Sequence, residues 1–153
     1  MNSMTGQDVH TRPERIAVAP GLFEGTGRGT RLLASRCLGC GQHYFPRALS
    51  CRAPDCTDKR LEDTRLSAQG RLYSYTRQRY QPPGLFRMED WAPYALGLVD
   101  LPEGLRILAM ISGPEPEPED IGRPMQLGTR TLYVNEAGQE VITYCWHSPD
   151  ATP

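Results

Sequence analysis

The chain reads as a mainly β protein: a small cysteine-held module followed by a closed or nearly closed barrel of about five strands. Three observations lead there. Four of the five cysteines, Cys37, Cys40, Cys51 and Cys56, fall within a short N-terminal stretch. Fifteen glycines and fourteen prolines cut the 153 residues into short pieces, and stretches of helical period are scarce. From Gly70 onward, alternating or apolar runs are separated by turn sequences.

Residues 1–33 form an N-terminal arm in this reading. Residues 1–19 are polar and are expected to be mobile or to order on a partner. Residues 20–36 suggest a short helix leading into a strand, carried by Leu22, Phe23, Leu32 and Leu33, although Gly25, Gly27 and Gly29 weaken any helix. These glycines lack the preceding strand and following helix of a dinucleotide site.

Residues 34–66 hold the cysteines as C-x-x-C, a ten-residue gap, and C-x-x-x-x-C. Two facing turns of this kind bring four thiolates to a tetrahedral ion such as Zn²⁺. In Cys37-Leu38-Gly39-Cys40-Gly41 the glycines permit positive φ, so that backbone N–H groups can point at sulfur. Disulfides are the competing reading. The odd cysteine count and the absence of an apolar leader in Met-Asn-Ser-Met-Thr argue against an oxidising compartment and for a cytoplasmic one. Iron also accepts four thiolates. Four protein ligands leave no open position, so the ion is expected to be structural.

Residues 67–148 form the barrel in this reading. Arg71–Tyr80 places Leu72, Ser74 and Thr76 on one face and Tyr73, Tyr75, Arg77 and Arg79 on the other. A turn-rich loop follows through Pro82, Pro83, Gly84, Phe86 and Trp91. Tyr94–Leu101 and Leu105–Ile111 make a hairpin about Pro102-Glu103-Gly104. Gly113–Asp120 is an acidic, proline-rich bridge expected to be extended with a helical turn at its end. Pro124–Val134 and Gln139–Trp146 complete the set, and the OB-fold is the commonest barrel of that size.

Hydrophobic residues are 39% of the chain and no apolar run is long enough to span a membrane. The net charge of −1 conceals a division, +6 over residues 1–80 and −7 over residues 81–153. A basic first half is compatible with an anionic ligand or partner. The histidines are His10, His43 and His147, and no hydrolase, phosphate-loop or zinc-protease motif is present. Cys145 and His147 share a strand face, but Cys145 lies between Tyr144 and Trp146 and reads as core packing. His43 reads as exposed or as a hydrogen-bond partner of a ligating sulfur.

Six residues are candidates for contact with a ligand or partner. Tyr44 and Phe45 follow the first knuckle and either pack against the module or dock a partner. Arg77, Arg79, Phe86 and Trp91 offer cations beside aromatics, suited to coenzyme A or to single-stranded nucleic acid. The acidic second half argues against nucleic acid. A rubredoxin-like electron carrier is a further alternative.

Several segments resemble the rubredoxin-like zinc-ribbon/OB-fold proteins associated with acyl-CoA enzymes. They are Arg36-Cys37-Leu38-Gly39-Cys40-Gly41 with Tyr44-Phe45-Pro46-Arg47, Gly70-Arg71-Leu72-Tyr73-Ser74-Tyr75-Thr76, Pro93–Gly104, and Ile121-Gly122-Arg123-Pro124-Met125. The resemblance covers about residues 20–148. It implies a non-catalytic accessory subunit that binds a thiolase-family catalytic chain, two copies of each, and helps shape an acyl-CoA channel for thiolytic C–C cleavage. Hydratases and hydroxymethylglutaryl-CoA synthase are alternative partners. Within the family the chain is similar to small subunits serving thiolases of aromatic-acid catabolism, the benzylsuccinate route included. It departs from the pattern in its longer second knuckle and in ending Tyr144-Cys145-Trp146-His147 rather than aromatic-Arg-Pro.

Overall fold

The structure, a computed structural model, describes residues 13–82 and 87–149. Ten strands are present: β1 Arg15–Ala17, β2 Phe23–Glu24, β3 Arg31–Cys37, β4 His43–Tyr44, β5 Leu61–Arg65, β6 Gln69–Gln78, β7 Tyr94–Asp100, β8 Arg106–Ile111, β9 Pro124–Val134 and β10 Glu140–His147. Single 3₁₀ turns occur at Gly27–Gly29 and Pro118–Asp120. Among the described residues no helix is long and apolar enough to cross a membrane.

β3 organises the first sheet, pairing antiparallel with β2, β4 and β5. The second sheet closes on itself. β6 pairs with β7, β7 with β8, β8 with β10, β10 with β9, and β9 returns to β6. Every ladder of this five-stranded ring is antiparallel except β8–β10, where Cys145 and Trp146 run parallel to Met110 and Ile111. This is the five-stranded OB-fold barrel expected from the strand count. Leu101 N–H donates to the Leu105 carbonyl at 2.9 Å and closes the β7–β8 hairpin at Pro102-Glu103-Gly104.

Two expectations fail locally, each for a physical reason. Residues 20–36 contain β2, a 3₁₀ turn and β3, with no α-helix. Pairing of Phe23 with Leu32 and Glu24 with Arg31 satisfies backbone groups that a glycine-weakened helix would hold poorly. In β6 a bulge between Leu72 and Ser74 sets two residues opposite Leu98, with Tyr73 the additional one. Side-chain parity inverts past it. Leu72 faces the interior, but its continuation inward is Tyr75, opposite Gly97, and Ser74 and Thr76 turn away.

The arm also departs from expectation where it is described. β1 pairs parallel with the start of β10, Val18 N–H donates to the Ile142 carbonyl at 2.8 Å, and Arg15 meets the Glu140 carboxylate at 3.0 Å. Three residues show no readable period, and their partner lies 125 positions away. The first twelve residues of the expected arm lie outside the described residues.

One core serves both sheets. Trp146, Leu127 and Val99 from the barrel and Leu32, Ala34 and Phe23 from the cysteine module are buried in the same cluster. Phe23 and Phe45 stand edge-on to Tyr144, with ring centroids 5.9 and 5.8 Å away. At the junction, the Glu103 carboxylate accepts the Ser67 N–H at 2.8 Å and also the Ser67 hydroxyl. The module is thereby packed and hydrogen-bonded to the barrel mouth.

Candidate metal centre

The four cysteines of the module come together. Cys37 ends β3, Cys40 follows the turn after it, and Cys51 and Cys56 lie on the excursion between β4 and β5. Their sulfurs all lie within 4.8 Å of one another. Cys37 Sγ is 3.7 Å from Cys56 Sγ, and Cys40 Sγ is 3.6 Å from Cys51 Sγ. A tetrahedron with metal–sulfur bonds of about 2.3 Å has edges of about 3.8 Å, so the donor set fits a four-thiolate Zn²⁺ site. Disulfide spacing is far shorter, about 2 Å, and the four thiols are free.

The two glycines of the first knuckle act differently. Gly41 has φ +77°, the left-handed conformation the turn requires. Gly39 is needed for space, because a Cβ there would collide with the Asp58 carbonyl. That carbonyl also lies 3.6 Å from Cys37 Sγ.

The sulfurs sit in unequal fields. The N–H of Cys40, helped by that of Gly39, holds the Cys37 thiol down to about 6. The Tyr44 hydroxyl, then the Ala53 N–H, lowers Cys51. Burial and the neighbouring sulfurs push Cys56 up to about 12. Two thiols are thus disposed to ionise and one is opposed. A divalent cation among them favours the charged form of every ligand.

The longer second knuckle is braced from outside. Lys59 Nζ donates to the carbonyls of Cys51 at 3.1 Å and Ala53 at 2.8 Å, and Cys56 N–H donates to Ala53 at 3.2 Å. Neither this brace nor the Tyr44 contact was anticipated from the sequence. Lys59 did carry a signal, as the chain's only lysine beside sixteen arginines.

Of the six residues proposed for ligand or partner contact, five are described, and among these Tyr44 alone lies against the cysteines. It is half-buried, with its hydroxyl 3.4 Å from Cys51 Sγ. Phe45 is half-buried against the shared core. Arg77 is exposed and paired with Glu115 at 3.1 Å, and Arg79 is exposed. Trp91 packs into a second cluster with Met88, Met110, Leu132 and Cys145. Phe86 lies outside the described residues. His43 lies on β4 opposite Arg36 and is not part of the four-sulfur group.

Cys145 is fully buried in that second cluster, and desolvation pushes its thiol up to about 11. His147 is buried beside Gly128, its Nε2 has no hydrogen-bond partner among the described residues, and its Nδ1 faces the Ser148 carbonyl at 3.3 Å. The two side chains make no thiol–imidazole hydrogen bond, so they do not form a nucleophile–base pair.

Comparison with known proteins agrees with this architecture. Residues 28–62 match the family described as ChsH2, rubredoxin-like zinc ribbon domain, and residues 63–130 match ChsH2, C-terminal OB-fold domain. The chain is 36% identical over 115 residues to a DUF35 domain-containing scaffold protein of Methanothermobacter thermautotrophicus, covering 74% of this chain and 81% of that one. It is 33% identical over 147 residues to benzoylsuccinyl-CoA thiolase subunit BbsA of Thauera aromatica, covering 92% of this chain and 96% of the relative. Its fold matches a chain of an Ltp2-ChsH2(DUF35) aldolase with a TM-score of 0.57 at 23% identity, over 77% of this chain and 84% of the other.

Proposed function

Because this chain belongs to the ChsH2 family of rubredoxin-like zinc ribbons joined to OB-folds, we propose that it is a non-catalytic subunit of an acyl-CoA thiolase. Cys37, Cys40, Cys51 and Cys56 hold a structural Zn²⁺. The ion cross-links the module, and the partner chain supplies the nucleophile and the acid–base groups for thiolytic C–C cleavage. Similarity to BbsA over 92% of this chain and 96% of the relative carries the reading. The four-thiolate geometry supports it, because a saturated site stabilises without opening a position for substrate.

In this reading the chain forms a hetero-oligomer with two copies of each subunit in the cytoplasm and contributes to an acyl-CoA site. The substrate class is an acyl-CoA of aromatic-acid breakdown. Arg77, Arg79, Phe86 and Trp91 remain the residues for contact with the coenzyme or the partner. The guanidiniums suit phosphate groups and the aromatics suit a purine ring.

The chain mixed with a thiolase-family catalytic subunit from the same organism should elute as one species with equimolar chains. Separate elution at micromolar concentration, with metal retained, would refute the pairing. Cys145→Ala is expected to cost about 1 kcal/mol of stability, as loss of one small buried group, and to leave turnover of the complex nearly unchanged. A large loss of turnover with unaltered unfolding would instead place chemistry at Cys145.

A further inference from the structure

The second knuckle poses a problem that the first does not. In Cys37-Leu38-Gly39-Cys40 the turn is closed by its own backbone, Gly41 N–H donating to the Cys37 carbonyl at 2.7 Å. Cys51-Arg52-Ala53-Pro54-Asp55-Cys56 is two residues longer, and its backbone bond, Cys56 N–H to the Ala53 carbonyl at 3.2 Å, leaves Cys51 outside the turn. A side chain reaches Cys51 instead. Tyr44 Oη lies 3.4 Å from Cys51 Sγ and accepts the Arg52 N–H at 2.7 Å. With an N–H already directed at its oxygen, the phenol has its own proton left to give, and sulfur is the acceptor in reach.

The arrangement is held from several sides. β4 carries Tyr44 opposite Ser35 of β3, the strand that ends at Cys37. The Arg52 guanidinium lies over the Tyr44 ring, 5.3 Å from its centroid. Lys59 fixes the carbonyls of Cys51 and Ala53 from the opposite flank. Tyr44 therefore touches the loop twice, at a sulfur and at the next residue's backbone.

We propose that Tyr44 is a positioning residue of the metal centre, its hydroxyl supplying a hydrogen bond to the Cys51 thiolate from outside the lengthened knuckle. The proposal rests on the four-thiolate reading above. The hydrogen bond draws charge from one ligand, and the Arg52 N–H contact fixes the direction from which that ligand approaches the ion. The role deepens the metal site and is separate from substrate or partner contact.

Cobalt(II) in place of zinc provides the probe, because its visible and near-ultraviolet bands report tetrahedral thiolate ligation directly. Tyr44→Phe keeps the ring and its stacking with Arg52 and removes only the hydroxyl. The sulfur-to-cobalt charge-transfer band is expected to move to lower energy as Cys51 becomes more electron-rich. The zinc dissociation constant, measured against a competing chelator, should rise by about 10- to 100-fold. A ring-fluorinated tyrosine at position 44, with a more acidic hydroxyl, should shift the band the other way. Wild-type spectrum and affinity in Tyr44→Phe would overturn the proposal, as would an unmoved band in the fluorinated protein. A wild-type chain giving no tetrahedral thiolate spectrum would remove the metal reading itself, and this role with it.

Discussion

Cys40→Ser is expected to release the metal and unfold the ribbon. Cys40 is the most exposed of the four ligating positions, so the substitution leaves the core untouched and tests ligation alone. A serine hydroxyl is a poor substitute for a thiolate. With three sulfurs left, the remaining ligands face one another without the cation that offsets their charge. In zinc-bound peptides, site formation and folding are linked by about 10 kcal/mol or more, comparable to the whole stability of an ordinary domain. The loss should not stay local. Phe23, Leu32 and Ala34 belong to the same buried cluster as Trp146 and Val99, so an unfolded ribbon uncovers the barrel mouth. Elemental analysis should fall from one metal per chain to near zero, and thermal unfolding should lose cooperativity or shift sharply downward. Retention of stoichiometric metal by the variant would contradict the ligand assignment.

Trp146→Ala should be the most damaging change in the barrel. The side chain is fully buried on β10, and its Nε1–H donates to the Ile107 carbonyl at 3.1 Å across the open part of the β8–β10 seam. That seam has only two ladder pairs, Cys145 with Met110 and Trp146 with Ile111, so the indole replaces contacts the backbone does not make. Truncating a buried tryptophan to alanine costs about 3–5 kcal/mol through lost transfer energy and an unfilled cavity. The unpaired carbonyl adds to it. Trp146→Phe should recover most of the packing but not the N–H, and lose about 1–2 kcal/mol. Urea unfolding checks both, with a lowered midpoint at unchanged slope. Equal midpoints for the alanine variant and the wild type would mean that the core is not organised about this residue.

The parts of the molecule legible in sequence are those written in local patterns. Cys37, Cys40, Cys51 and Cys56 announce their association through spacing, and the structure brings them within 4.8 Å. The β7–β8 hairpin is visible because Pro102-Glu103-Gly104 is flanked by apolar runs, and its register follows. What escaped depends on distant partners. The bulge in β6 leaves no mark in Tyr73 or Ser74, yet it reverses which residues face inward beyond it. β1 is too short to show alternation and exists because β10 offers it an edge. The shared core was hidden as well. Phe45 reads as packing on a small module or docking a partner, and it is Tyr144 of the barrel, far along the chain, that meets it edge-on.

The same division holds at the site. The gathering of the four sulfurs was legible, but the means by which a six-residue knuckle is held was not. It depends on Tyr44 and Lys59 reaching into the loop from outside, and neither contact follows from the cysteine spacing. Surface pairs such as Arg60 with Asp58 and Arg106 with Asp100 are exposed and add little to the fold. The shared core and the Glu103–Ser67 hydrogen bonds hold the ribbon against the barrel.

The most direct measurement is the rate of thiolytic acyl-CoA cleavage by a thiolase-family catalytic subunit from the same organism, assayed alone, with this chain, and against this chain by itself. The expected result is turnover that appears, or rises at least tenfold, only when both chains are present, and none from this chain alone. Full activity of the catalytic subunit without it, or cleavage by this chain unaided, would contradict the assignment.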